Sequence, residues 1–361
     1  MIPWAKPFFV GREKEYVIEA LESSWISGGP FVRKLETFFQ NKTGLDACAV
    51  SNGTVALHLA YVALGLQRDD EILVPAFGFM AAANTAINHG IKPIFTDVDS
   101  ETWCMTVKDL DKAKTPKTKA AVVIHTYGNV CDMDEIIKWG KANNIFVIED
   151  TAEALGSLYK GKWAGSFGDI NTFSLHATKT ITTGEGGIVV CQTKELYEKA
   201  WLYTNHGLHR RGILAAYSHE VPGFNYRLGN IQAAIGVAQS EHLDTILKER
   251  NRVYQKYQEN LQDIQIQKIG NNVSPIIWAL GIKLQDSINR NAVMQYMEKM
   301  GVETRPGFSS PKYIKYFKDL RETPISDNLS DQIITLPFYP SLSNEKISYI
   351  CDSFLKGLTK C

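Results

Sequence analysis

The chain has no net charge, no metal-binding cysteine pattern and no long apolar run. Lysine plus arginine and aspartate plus glutamate each number 39 in 361 residues, so no global field draws the protein to nucleic acid or an acidic membrane. Its six cysteines (Cys48, Cys104, Cys131, Cys191, Cys351, Cys361) form no Cys-x-x-Cys pair and no metal-ligand spacing with histidine. Reduced, mostly buried thiols are the expectation, and no metal is implied. No stretch approaches the roughly 18 apolar residues of a membrane span. The start, Met1-Ile2-Pro3-Trp4-Ala5-Lys6, has no apolar core of signal-peptide length. A cytoplasmic protein with no membrane or nucleic-acid partner is therefore expected. Repeats and low-complexity tracts are missing too.

What is present is ordinary for a globular protein: 44% hydrophobic and 22% charged residues. The length allows a large core and two domains. Apolar strand patterns at residues 71–74, 93–96, 120–124, 146–149, 171–174 and 187–191 alternate with helical ones. That alternation predicts an α/β fold with a largely parallel sheet covered by helices. After residue 239 the pattern changes to a long charged helix (240–261), then a strand (276–282), a helix (289–300) and a final helix (346–358). The division expected is a large domain over 1–239, including the N-terminal segment, and a smaller α+β domain over 240–361. Residues 206–222, with His206, His209, Arg210 and Arg211, read as an irregular loop that either meets substrate phosphates or is simply solvated.

The most informative stretch is Phe173-Ser174-Leu175-His176-Ala177-Thr178-Lys179, followed by Gly184-Glu185-Gly186-Gly187. It sets one lysine between a strand and a glycine-rich turn. An amine that attacks an aldehyde needs such a perch, partly dry and flanked by small residues. The plain alternative is an exposed loop lysine. Its companions favour pyridoxal 5′-phosphate (PLP). Asp150 ends an apolar strand and suits a ring nitrogen that must stay protonated; its alternative is a helix N-cap. Ser51-Asn52-Gly53-Thr54 lies between strand and helix, where free N–H groups and the helix dipole gather anions, although plain N-capping explains Gly53 and Thr54 as well. Phe79 is the better candidate for stacking on the ring, with Phe77 or ordinary core as the alternative. Ser174 adds a hydroxyl on the lysine's own segment. In open sheets, ligands collect at the carboxyl ends of strands, and these residues fall there.

Phosphate turn, aromatic, acid and lysine, in that order, resemble the fold-type I PLP enzymes. The chain more narrowly resembles the DegT/DnrJ/EryC1/StrS family of nucleotide-sugar aminotransferases. The stretches that carry this are 44–60, His125-Thr126-Tyr127-Gly128-Asn129, 149–156, 161–169, the lysine segment and Gly223-Phe224-Asn225-Tyr226-Arg227. The resemblance runs from about Trp25 nearly to the C-terminus. It implies that Lys179 holds the cofactor and shuttles the proton, that Asp150 pairs with the ring nitrogen, and that Glu153 lies near the ring hydroxyl. It also implies that Asn225 reaches the cofactor phosphate of a second subunit, hence a homodimer with shared sites; on the residues alone Asn225 reads as a turn before a helix. A branch of the family that removes a sugar hydroxyl has histidine at the lysine position, so Lys179 favours transamination.

Trp25-Ile26-Ser27, Cys131-Asp132-Met133-Asp134, 230–236 and Gly301-Val302-Glu303-Thr304-Arg305-Pro306 look most like the perosamine-synthase-like branch. The implied reaction moves an amino group from an amino acid, glutamate by resemblance, to a 4-keto-6-deoxy sugar carried on a nucleotide diphosphate. The implied setting is deoxyaminosugar or lipopolysaccharide O-antigen synthesis. His176-Ala177-Thr178, Asn129 and Phe308-Ser309-Ser310-Pro311 depart from that branch near the sugar. A 3-keto aminotransferase and a PLP-dependent sugar dehydratase of the same fold stay open as alternatives. Arg227 and Arg305 are candidates for the donor carboxylate or the sugar phosphates, since a guanidinium matches both; each suits a structural ion pair equally.

Overall fold

The computed structural model describes residues 1–208, 218–318 and 320–360. Strands β1 (Asp46–Val50), β2 (Glu71–Pro75), β3 (Lys92–Thr96), β4 (Thr118–Ile124) and β5 (Phe146–Asp150) are followed by a small hairpin, β6 (Leu158–Tyr159) and β7 (Lys162–Trp163). Then come β8 (Ile170–Ser174) and β9 (Gly187–Cys191). Seven of them form one sheet in the order β1-β9-β8-β5-β4-β2-β3. The sheet is parallel except for β9, which runs antiparallel to both β1 and β8. That exception has a local cause. β8 and β9 are joined directly by the Lys179 segment, without the crossover helix that a parallel pair requires.

Strand residues alternate between two cores. Cys48 and Val50 of β1, with Val189 and Cys191 of β9, pack into a cluster with helix Gly53–Leu64. Ala47, Ala49, Ile188 and Val190 face the other way, onto helices Pro30–Thr43 and Asn230–Glu241. Helix Gly53–Leu64 is apolar nearly all round because it is covered on all sides, which buries Leu57, Leu59 and Tyr61. Its start is capped by the Asn52 side chain, which accepts from the Val55 N–H at 2.9 Å.

Beyond the large sheet, β10 (Val273–Ser274) adds to β6. Strands β11 (Leu280–Lys283), β12 (Arg305–Pro306) and β13 (Ile333–Leu336) form an antiparallel sheet in the order β11-β13-β12. It packs with helices Leu243–Asn260, Arg290–Lys299 and Asn344–Lys360 in a core of its own. The N-terminal residues cross to this unit: Ile2 forms a parallel bridge with Val302, and Phe338 N–H donates to the Trp4 carbonyl at 3.0 Å.

Two expected elements differ. The helix expected over 240–261 begins three residues later, at Leu243, after a turn at His242 that ends helix Asn230–Glu241. Of the strand expected over 276–282, only residues 280–282 pair in a sheet, as part of β11. Trp278 instead donates its N–H to the Tyr127 carbonyl at 2.9 Å, back toward the large sheet. Cys48, Cys104, Cys131, Cys191 and Cys351 are free and buried. Among the described residues no helix is long and apolar enough to cross a membrane.

Candidate active site

Register brings the strand ends together. Gly187 pairs with both Val50 and Ser174, and Asp150 pairs with Ile124 and Thr172. At this edge a cavity of about 980 Å³ opens between the large sheet and the C-terminal unit. Gly53, Thr54, Phe79, Asp150, Glu153, Ser174, Lys179 and Arg305 all line it.

The helix start abuts the strand ends closely. A Cβ on Gly53 would lie 2.9 Å from the Ser174 Cβ and 3.2 Å from its Oγ, and one on Gly187 would lie 2.5 Å from the Asn52 carbonyl oxygen. Two glycines therefore let the first, unsatisfied N–H groups of the helix approach the serine hydroxyl. Thr54 sits exposed on the cavity. Thr172 Oγ1, buried at the same edge, has no partner among the described residues.

The adjacent acids of β5 do different things. Glu149 is sealed: it accepts from His125 Nε2 at 2.8 Å and from the N–H groups of Gly165 (2.6 Å) and Phe167 (2.9 Å). Asp150 faces the cavity, and its Oδ1 accepts from the Ala152 N–H at 3.0 Å. No helix follows it; residues 151–157 are turns. Burial raises the Asp150 pKa, opposed by that N–H, by Lys179 and by His125. Glu153 accepts from the Tyr127 N–H at 2.8 Å, and burial pushes its pKa up to about 7 despite the attraction of Lys179.

Lys179 is held in the loop after β8 by its N–H bond to the His176 carbonyl, 2.9 Å. Its Nζ lies 3.8 Å from the centre of the Trp278 ring. Burial lowers its pKa, opposed by Glu153 and Asp150 and reinforced by Arg250. An amine inside a cavity, facing two carboxylates and leaning on an indole, is poised to lose and regain a proton.

The two phenylalanines separate cleanly. Phe77 is fully buried against Trp103, Tyr127 and Phe308, whereas Phe79 is 65% exposed on the cavity wall. Arg305 lies 5.0 Å above the Trp4 ring and pairs with Glu303 at 2.9 Å. Asn225 and Arg227 are not on this cavity. Both are exposed; Asn225 bridges Asn205 in a short antiparallel contact, and Arg227 Nη1 donates to Asn205 Oδ1 at 2.6 Å. Of the basic loop expected over 206–222, residues 209–217 lie outside the described residues.

Sequence reasoning missed three side chains here. Trp278 was absorbed into an expected strand. Trp4 reaches the cavity from the N-terminus, with its Nε1 donating to Thr335 Oγ1 at 2.9 Å and its ring edge-on to Trp278 at 5.6 Å. Arg250 stands in a stripe with Ile246, Val253 and Tyr257, all buried. A charge at a buried helical position was the one available signal.

The sequence profile of the DegT/DnrJ/EryC1/StrS aminotransferase family matches residues 9–355. The chain is similar to a GDP-perosamine synthase of Escherichia coli O157:H7, with 43% identity covering 98% of this chain and 97% of that protein. It is also similar to a GDP-perosamine synthase of Vibrio cholerae, with 35% identity over the full length of both. Among solved structures it resembles an aminotransferase from Psychrobacter cryohalolentis (26% identity, 99% and 98% of the two chains, TM-score 0.92). A Streptococcus pneumoniae protein solved in its PLP form is similar as well (26% identity, 99% of each chain, TM-score 0.93).

The cavity's own chemistry fits that cofactor. The glycine-lined helix start and the Thr54 and Ser174 hydroxyls suit a phosphate, Asp150 suits a cationic ring nitrogen, and the Lys179 amine suits an aldehyde. The chain belongs to the DegT/DnrJ/EryC1/StrS aminotransferase family, and its cofactor is pyridoxal 5′-phosphate.

Proposed function

We propose that this aminotransferase moves an amino group from an amino acid, glutamate by resemblance, to the 4-keto carbon of a GDP-linked 6-deoxyhexose. The observation that carries the reading is whole-chain similarity to GDP-perosamine synthases at 43% and 35% identity, joined to a cavity lysine, Lys179, at the position where the hydroxyl-removing branch has histidine.

When bound, PLP supplies an electron sink for the bond electrons released at the donor's α carbon. Lys179 takes the proton from that carbon and returns it; its lowered pKa makes the neutral amine accessible. Asp150 would present its carboxylate to the ring nitrogen, and Glu153 would lie by the ring hydroxyl. Gly53, Thr54 and Ser174 would hold the phosphate, and Phe79 would cover the exposed ring face. Arg305, at the cavity, meets an acidic group of donor or nucleotide sugar. Asn225 acts on the phosphate in a second subunit's cavity, with Arg227 beside it, which makes the working unit a homodimer. The division into domains at 239/240 then places the reacting groups mainly on the larger one. A cytoplasmic enzyme supplying an amino sugar for O-antigen synthesis accords with this reading.

The test is direct. Purified protein is incubated with glutamate and GDP-4-keto-6-deoxyhexose, and both products are weighed by mass spectrometry. The sugar should gain a nitrogen and lose an oxygen while glutamate becomes 2-oxoglutarate. Loss of oxygen with no nitrogen gained, or amination only of a 3-keto sugar, would overturn the proposal.

A further inference from the structure

We propose that Arg250 is a positioning residue for the reaction: its buried guanidinium ties the main chain of Lys179 to that of Ile277 and Trp278, fixing the amine over the indole face. The proposal rests on Lys179 being the reacting amine.

Arg250 is 3% exposed, and among the described residues no carboxylate pairs with it. Its Nη1 donates to the carbonyls of Ile277 (3.1 Å) and Trp278 (3.4 Å), and its Nη2 donates to the carbonyl of Lys179 (3.4 Å). The Trp278 Nε1 in turn donates to the Thr178 carbonyl at 2.8 Å. The loop closes when Lys179 Nζ lies 3.8 Å from the centre of the Trp278 ring. Two consecutive carbonyls of the lysine segment are thus gripped, one by the arginine and one by the indole, and those two residues are bonded to each other.

A buried ion without a counter-ion is costly, and here the Arg250 Nε is left without any partner among the described residues. A structural stitch between carbonyls does not require that cost. The planar fork explains the geometry, because a single ammonium cannot span carbonyls on two segments. Charge has a second use. Burial lowers the pKa of Lys179 and Arg250 lowers it further, against the opposing pull of Glu153 and Asp150. His176, Glu185 and Arg305 also border the cavity. Burial pushes Arg250 itself down to about 10, so it remains a cation at neutral pH.

The experiment uses cofactor-loaded Arg250→Lys and Arg250→Met, comparing the pH midpoint of the visible absorbance, kcat, KM for glutamate and Tm with wild type. Arg250→Met should raise the midpoint by about one pH unit, since a nearby cation has gone. Its kcat should drop by about tenfold to a hundredfold, with KM changed by no more than about twofold. Arg250→Lys should keep the midpoint near wild type yet lose kcat similarly. If Arg250→Met does not fold, that split in Arg250→Lys decides alone. Wild-type kcat in Arg250→Lys, or a lowered Tm with kcat and midpoint unchanged, overturns the proposal. Lys179→Ala in parallel keeps the two readings apart: if it retains the visible band, the assignment of the amine falls, whatever Arg250 does.

Discussion

The cavity has two walls of opposite character. On the sheet side stand Asp150, Glu153, Ser174 and the start of helix Gly53–Leu64, each fixed by strand register or a main-chain bond. On the other side stand Trp4, Tyr127, Trp278 and Phe308, which meet each other tilted or edge-on at 5.0–6.3 Å. The polar wall controls charge: its acids oppose the drop in the Lys179 pKa that burial produces. The aromatic wall controls shape and dryness, and it carries the indole on which the amine leans. Lys179 stands between them. A reacting amine needs both, since charge without exclusion of water is weakly felt and a dry pocket without charge has nothing to direct the proton.

Removing what lies between the walls has the largest expected effect. Lys179→Ala should lower kcat by roughly 10⁴-fold, read by single-turnover assay with glutamate. On the polar wall, Asp150→Asn should still bind PLP but lose about 10²–10³-fold in kcat, because the carboxylate proposed to face the ring nitrogen is gone. On the aromatic wall, Trp278→Leu should cost about tenfold in kcat, since the amine loses its support while both acids stay. Equal losses in Asp150→Asn and Trp278→Leu would erase the distinction between the walls.

Smaller effects sharpen it. Phe77→Ala should cost about 3–5 kcal/mol in urea unfolding as a core truncation. Phe79→Ala should leave stability within about 0.5 kcal/mol while weakening PLP binding about threefold to tenfold. Glu153 gives the pH signature. Its pKa rises from 4.5 unfolded to about 7 folded, so the folded state binds the extra proton between those values. Its contribution to stability is complete below pH 4.5 and is lost as the pH rises through about 7. Glu153→Gln should remove that dependence from cofactor-free protein, worth at most about 3 kcal/mol across the window. A Tm difference between Glu153→Gln and wild type that is the same at both ends of the window would contradict it.

The polar wall was legible in the sequence because each of its pieces is local. Gly53, Asp150 and Ser174 each end or follow an apolar strand run, and parallel order alone brings such ends to one edge. The alternation of strands and helices likewise gave away the α/β class, although not the antiparallel β9, which follows from the missing crossover. The aromatic wall is assembled from residues far apart in the chain. Nothing near Trp4 or Trp278 announces that an N-terminal segment and a run before β11 meet beside Lys179. Asn225 and Arg227 mark another limit. Their motif is distinctive, yet within one chain both lie off the cavity, so the role proposed for them needs a second subunit.

Reduction of PLP-loaded protein with borohydride, followed by peptide mapping, tests the central claim most directly. The account predicts cofactor fixed to the peptide containing Lys179 and to no other. Cofactor fixed to a different lysine, or bound stoichiometrically yet left unfixed, would contradict it.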